Sequence, residues 1–184
     1  MFGSKIAMRY ATSLLESSLS KNNLGIVSSD MDKVISIFDA NPALIRVLDN
    51  PVIKPEKKQS ILTEIFGNII SEDSLNFLLF VIRKNRDQML ADILRSFQHL
   101  RDQHYRIVNL KVKSAYELDE NERGKIISRF EEVLNKKVRA EFQSDPSIIG
   151  GFIAQVDDTV YDASIKHQLI ILKSKFLSEG VSLN

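Results

Sequence analysis

The chain has 184 residues, 43% of them hydrophobic, with 25 basic residues against 24 acidic ones. That is length and apolar content enough for one domain or two small ones with a real core, and a formal charge of +1 gives no electrostatic pull toward nucleic acid or an anionic membrane. The absence of cysteine removes disulfides, thiolate metal sites and cysteine nucleophiles together. It fits a reducing compartment.

The N-terminal stretch "MFGSKIAMRYATSLLESSL" has no continuous apolar core and no cleavage-type ending, so it predicts a helix and not a signal peptide. One stripe of this helix carries Ile6, Tyr10 and Leu14, with Ala7, Ala11 and Leu15 beside it, a face wider than a single core contact needs. Breakers at "KNNLG", "ANP", "DNPVIKP", "FGNIISED" and "KNRD" cut the chain up to about Tyr105 into some six short helices. The helix around "SLNFLLFVIRKN" is apolar on nearly its whole circumference, through Leu75, Phe77, Leu78, Leu79, Phe80, Val81 and Ile82. Such a helix must be covered on all sides. Its run "FLLFVI" falls far short of the roughly 20 residues of a membrane span. The last helix of the region returns to a plain stripe of Leu90, Ile93, Leu94, Phe97 and Leu100.

After Tyr105 the period changes to two. "VNLKVKSAY" sets Val108, Leu110 and Val112 against Asn109, Lys111 and Lys113, the pattern of a half-buried strand. A second domain is therefore expected from residue 106, giving a 1–105 helical domain and a 106–184 α/β domain. Asp119 and Glu122 are spaced as a capping box for a helix with Ile126, Ile127, Phe130, Val133 and Leu134. "VRAEFQ" and "GFIAQV" read as further strands, "DD" as a turn, "TVYD" as a short return, and a closing helix carries Ile165, Leu169, Leu172 and Phe176 on one side. The fold class expected is mainly α, a six-helix N-terminal bundle followed by a small α/β domain with a short sheet. Neither half is specialised by charge: 14 basic and 12 acidic residues precede position 107, and 11 and 12 follow it.

No reactive constellation emerges. Gly150 and Gly151 lead into a strand with no "GKS" or "GKT" after them, whereas a phosphate loop opens a helix; a bulge or close backbone approach is the expectation. His99 and His104 are five apart on a helix, about 140° in direction, and make no metal pair. Asp157, Asp158 and Asp162 lack the alternating order of a calcium loop, Glu131 and Glu132 diverge on their helix, and no serine sits in a Gly-flanked elbow. Basic clusters at "IKPEKK" and "IRKNR" leave an RNA-binding, antitermination-like factor as the rival, although interleaved stacking aromatics are missing. Surplus apolar helix surface without reactive groups points to a protein-binding role.

Three stretches carry a resemblance: "RYATSLLE" (Arg9–Glu16); "LDNPVIKPEKKQSILTEIF" with Asn50, Pro51 and Lys57, followed by a helical pair bearing Phe77 and Arg86; and "SIIGGFIAQVDDTVYDASIKHQL" with Gly150, Gly151, Val156, Asp162, Ser164 and Leu169. In this order and spacing, nearly end to end, the chain resembles the delta subunit of the F-type ATP synthase, the family of the mitochondrial oligomycin-sensitivity-conferring protein. It departs from the pattern at Asp157 and Ala163, where the family often has Gly; Asp tolerates a left-handed turn. The resemblance implies a non-catalytic peripheral-stalk protein without cofactor or metal, on the cytoplasmic side of an energy-transducing membrane, neither inserted in it nor bound to nucleic acid. It implies that the alpha-subunit N-terminal segment lies in a groove between the first and fifth helices, for which Ala7, Tyr10, Ala11 and Leu14 are expected on one wall and Phe77, Phe80, Val81 and Lys84 on the other. It also implies that the C-terminal domain docks stalk subunit b. In that domain Asp162 and Ser164 are expected to cap the closing helix, which packs on the sheet while leaving a surface for the stalk.

Overall fold

A computed structural model describes residues 4–179. The chain is mainly helical with a small four-stranded sheet, and it divides into two compact units between His104 and Tyr105.

The first unit holds α1 (Lys5–Ser20), α2 (Leu24–Ala40), α3 (Pro42–Asp49), α4 (Pro55–Phe66), α5 (Glu72–Arg83), a 3-10 turn (Asp87–Met89) and α6 (Leu90–His104). Local chemistry sets these boundaries. Ser4 Oγ accepts the Ala7 N–H at 3.2 Å to open α1, and α3 and α4 open on Pro42 and Pro55, where a missing N–H costs nothing. Helix α5 has Ser71 as N-cap, Glu72 and Asp73 in its first turn and Arg83 in its last, all placed to oppose the helix dipole. Asn22 and Asn85 take left-handed φ angles of 54° and 53° after α1 and α5, as a short polar side chain permits.

The core of this unit joins Ala7, Ala11 and Leu14 to Met31, Val34 and Phe38, to Leu62 and Phe66, to Leu78, Val81 and Ile82, and to Ile93, Leu94 and Phe97. Helix α1 lies along α6, with Ala7, Ala11, Leu14 and Ser18 as its buried stripe; small residues there let the two backbones approach. Burial of each large aliphatic or Phe side chain contributes about 1.5–3 kcal/mol. The buried charges all have partners. Asp30 accepts the Ser71 N–H at 2.9 Å and the Ser74 hydroxyl at 2.8 Å, tying α2 to the start of α5. The Arg101 guanidinium donates to both Asp32 oxygens at 2.8 and 2.7 Å, tying α6 to α2. Lys58 is buried, donating to the Leu48 carbonyl and to Asp87. It is therefore lost to any basic patch at "IKPEKK".

The second unit runs β1 (Ile107–Ser114), α7 (Glu120–Leu134), β2 (Lys137–Ser144), β3 (Phe152–Val156), β4 (Thr159–Asp162) and α8 (Ile165–Glu179). The sheet order is β2-β1-β3-β4, parallel between β1 and β2 and antiparallel elsewhere. Val108, Leu110, Val112, Ala154 and Val156 turn one sheet face toward Ile126, Phe130 and Leu134 of α7, while Val133 stays exposed. Both halves of the capping box form, Glu122 N–H to Asp119 at 2.7 Å and Asp119 N–H to Glu122 at 3.0 Å.

The "GG" pair is a close passage. Gly151 has φ +79°, and a Cβ there would stand 2.4 Å from the Ala163 carbonyl; a Cβ on Gly150 would meet Ile165 at 2.5 Å. Asp157, with φ 50°, makes the tight turn from β3 to β4. Ser164 Oγ accepts the His167 N–H at 3.2 Å as the N-cap of α8, and Asp162 holds the Ser164 N–H at 2.9 Å. The closing helix departs from expectation. From Ile165 to Leu177 every residue of α8 is exposed, so this stretch does not pack on the sheet. Its apolar side chains recur on more than one side of the helix, whereas α7 takes the apolar face of the sheet and the opposite face carries Asn109, Lys111, Lys113, Arg139, Glu141 and Gln143, which offer an apolar helix no seat.

Candidate functional site

Two side-chain stripes face each other across the first unit. On α1 they are Ile6, Tyr10, Ser13 and Ser17, and on α5 Asp73, Phe77 and Phe80, both at the i, i+3/i+4 spacing of one helix face. Between them run two adjoining recesses. One, of about 190 Å³, is flanked by Tyr10, Leu14, Ser17, Asp73, Phe77 and Phe80. The other, of about 480 Å³, is flanked by Ile6, Arg9, Tyr10, Ser13, Phe80 and Arg86.

The helices run antiparallel along this groove. Lys21, just past the end of α1, pairs with Asp73 at the start of α5 at 2.6 Å, and Asn23 donates to the same carboxylate at 2.8 Å. Midway, the Tyr10 and Phe80 rings stand 6.2 Å apart and tilted by 50°. The eleven steps from Ile6 to Ser17 span about 16 Å at 1.5 Å each, so the groove is as long as three helical turns. Phe80 is 39% and Ile6 42% exposed, apolar surface facing the opening.

The structure brings Tyr10, Leu14, Phe77 and Phe80 together in this groove, with Leu14 nearly buried on its floor. Ala7, Ala11 and Val81 are not there. All three are fully buried, the alanines because their face of α1 meets α6, and Val81 because it lies about 100° around α5 from Phe80. Lys84 flanks neither recess; its ammonium sits 5.6 Å from the centre of the Phe80 ring, a cation–π contact at the groove mouth. The groove also contains Ser13, Ser17 and Arg86, which a search along apolar stripes passes over, although the period of 3.6 starting from Tyr10 predicts the two serines.

A second exposed apolar surface is on α8. Ile165, Leu169, Leu172 and Phe176 repeat at spacings of four, three and four, the seam of a coiled coil, and Ile170 and Leu177 form another stripe. These side chains are 45–67% exposed. Beside the start of the helix, Ile148, Ile149 and Ile153 flank a further recess with Ile170.

Among the described residues no group of three His, Cys, Asp or Glu side chains could hold a metal ion, and no helix is long and apolar enough to cross a membrane. Two carboxylates with displaced pKa values, Asp30 and Asp162, serve structure. At Asp30 burial pulls upward, but the hydrogen bonds from Ser71, Ser74 and Lys33 outweigh it and hold the group below the usual range. At Asp162 the hydrogen bonds from Ser164 do the same.

Residues 6–176 match the family model described as "ATP synthase delta (OSCP) subunit". A relative from Chlorobaculum parvum, "ATP synthase subunit delta", is 33% identical over 93% of this chain and 94% of its own. One of the same name from Salinibacter ruber is 33% identical over 97% and 94%. Among solved structures, a chain of the Toxoplasma gondii mitochondrial ATP synthase superposes with a TM-score of 0.69 at 21% identity, covering 95% of this chain and 98% of that one; this likeness speaks for the fold.

Proposed function

Because the chain belongs to the ATP synthase delta (OSCP) subunit family and is a peripheral-stalk subunit of an F-type ATP synthase, we propose that it ties two other subunits together as a non-catalytic stator link. The first unit, as a six-helix bundle, takes the N-terminal segment of a catalytic-head alpha subunit as a helix laid between α1 and α5. The observation that carries this reading is the groove itself: about three turns long, half-open, walled by Tyr10, Phe77 and Phe80. Helix-in-groove recognition uses such anchors at i, i+3/i+4 and i+7.

The second unit docks the end of stalk subunit b. Exposed α8 supports this, since an apolar helix with no cover of its own is the surface a partner helix completes. The link works on the cytoplasmic side of the energy-transducing membrane, reaching it through the complex. Its task is mechanical: rotary catalysis turns a shaft inside the head, and the head is kept from turning by two attachments in series. No chemistry at a side chain is required. An RNA-binding role has no support, because Lys58 is buried in an ion pair and Lys84 and Arg86 belong to the groove region.

Titration calorimetry of the whole chain with a synthetic alpha N-terminal peptide tests the groove. Saturable one-to-one binding is expected; no heat and no shift of the melting temperature would overturn the assignment.

A further inference from the structure

We propose that Arg9 and Arg86 make the α1–α5 groove selective for a helix with a carboxylate side chain at one defined end, and so fix the direction in which that helix lies. The inference rests on the groove being the site of the alpha N-terminal helix and adds what the helix must carry. The recess flanked by Ile6, Tyr10 and Phe80 also has Arg9 and Arg86 among its lining residues and neither Asp nor Glu. Among the described residues neither Arg9 nor Arg86 takes part in an ion pair. Lys84, over the Phe80 ring, adds a third positive charge close by.

The other end of the groove is different. There Lys21 is neutralised by Asp73, whose second oxygen accepts from Asn23. One end is therefore cationic and uncompensated, the other closed and satisfied. An amphipathic helix can cover the aromatic walls in either direction, but only one direction brings an acidic side chain against the guanidinium pair. A planar guanidinium fork matches a carboxylate in two parallel hydrogen bonds, and the low-dielectric ring surface beside it strengthens the attraction relative to open solvent. Reversed docking would leave that carboxylate beside Asp73. The occupant is thus the alpha-subunit N-terminal helix, with Asp or Glu on its polar edge at the end that reaches Ile6 and Arg86.

The test is calorimetry of the whole chain with three synthetic peptides: the alpha N-terminal segment from the same organism, a copy with Asp and Glu replaced by Asn and Gln, and a copy with them replaced by Lys. Arg9→Gln and Arg86→Gln are each expected to weaken the unmodified peptide by about two- to fivefold at low salt, the range of partly exposed ion pairs. The same substitutions should leave the amidated peptide unchanged, and added salt should narrow the difference. Arg9→Glu with Arg86→Glu should bind a Lys-bearing copy better than the native peptide, which also excludes a loss through misfolding. Tight binding of both the native and the Asn/Gln peptide by wild type and variants alike would overturn the inference and leave the groove standing. Binding of neither the native nor the Asn/Gln peptide by wild type would overturn both.

Discussion

Replacing Phe80 with Ala separates the groove from the core beneath it. Phe80 is 39% exposed, and since a Phe side chain presents about 150–250 Å², roughly 60–100 Å² of this ring faces solvent. Covering that area with a bound helix contributes about 1.5–2.5 kcal/mol at ~25 cal/mol per Å², or roughly 10- to 70-fold in Kd. Val81, one residue on, is fully buried. Val81→Ala should cost about 2–3 kcal/mol of stability, from lost transfer energy and the cavity left behind, and lower the melting temperature of a unit this size by about 10 °C or more. Its affinity for the alpha peptide should be unchanged. Phe80→Ala should show the reverse emphasis, a smaller loss of stability and at least a tenfold loss of affinity. Melting curves give the first quantity and calorimetry, well below both transitions, the second. Equal affinity losses in the two variants, or wild-type affinity in Phe80→Ala, would refute the division into wall and core.

Asp30→Asn should destabilise the first unit by about 1–3 kcal/mol at neutral pH, because the Ser71 N–H and Ser74 hydroxyl lose a charged acceptor. Since the folded pKa of Asp30 lies below its unfolded value, the contribution is complete above about pH 4 and is lost as pH falls through the folded pKa. Denaturant titrations should therefore show wild type and variant converging in acid, and a constant gap would contradict the assignment. Gly151→Ala should destabilise the second unit by at least about 1–3 kcal/mol, since φ +79° and the Ala163 carbonyl at 2.4 Å both oppose a Cβ. Limited proteolysis should report opening at β3 and the start of α8 while alpha-peptide affinity is unchanged.

Pro42, Pro55 and the asparagines after α1 and α5 made the helix boundaries legible, because each acts through its own backbone. The two-residue period of β1 and the Asp119–Glu122 box were equally local and equally readable. What periodicity does not encode is which neighbour covers an apolar face. Ala7 and Ala11 share α1 with Tyr10 but turn toward α6, where their small size admits a second backbone. Size, and not hydrophobicity, was the available signal. For α8 the stripe of Ile165, Leu169, Leu172 and Phe176 looks the same whether cover comes from this chain or another, and the expectation that it packs on the sheet followed from assuming the first. Arg9 and Arg86 escaped the reading of apolar faces because their significance arises from the recess they share across two elements.

The stator account is tested most directly in membrane vesicles that retain the rotary complex and contain either the whole chain or a version with Leu169, Leu172 and Phe176 each replaced by Asp. These three side chains are exposed, so the chain should still fold and still bind the alpha peptide. With the substituted chain, ATP hydrolysis by the head should continue while ATP-driven acidification stops, because the head is no longer held against the shaft. Acidification equal to that with the unaltered chain would contradict the claim that this protein anchors the head to the stalk through α8.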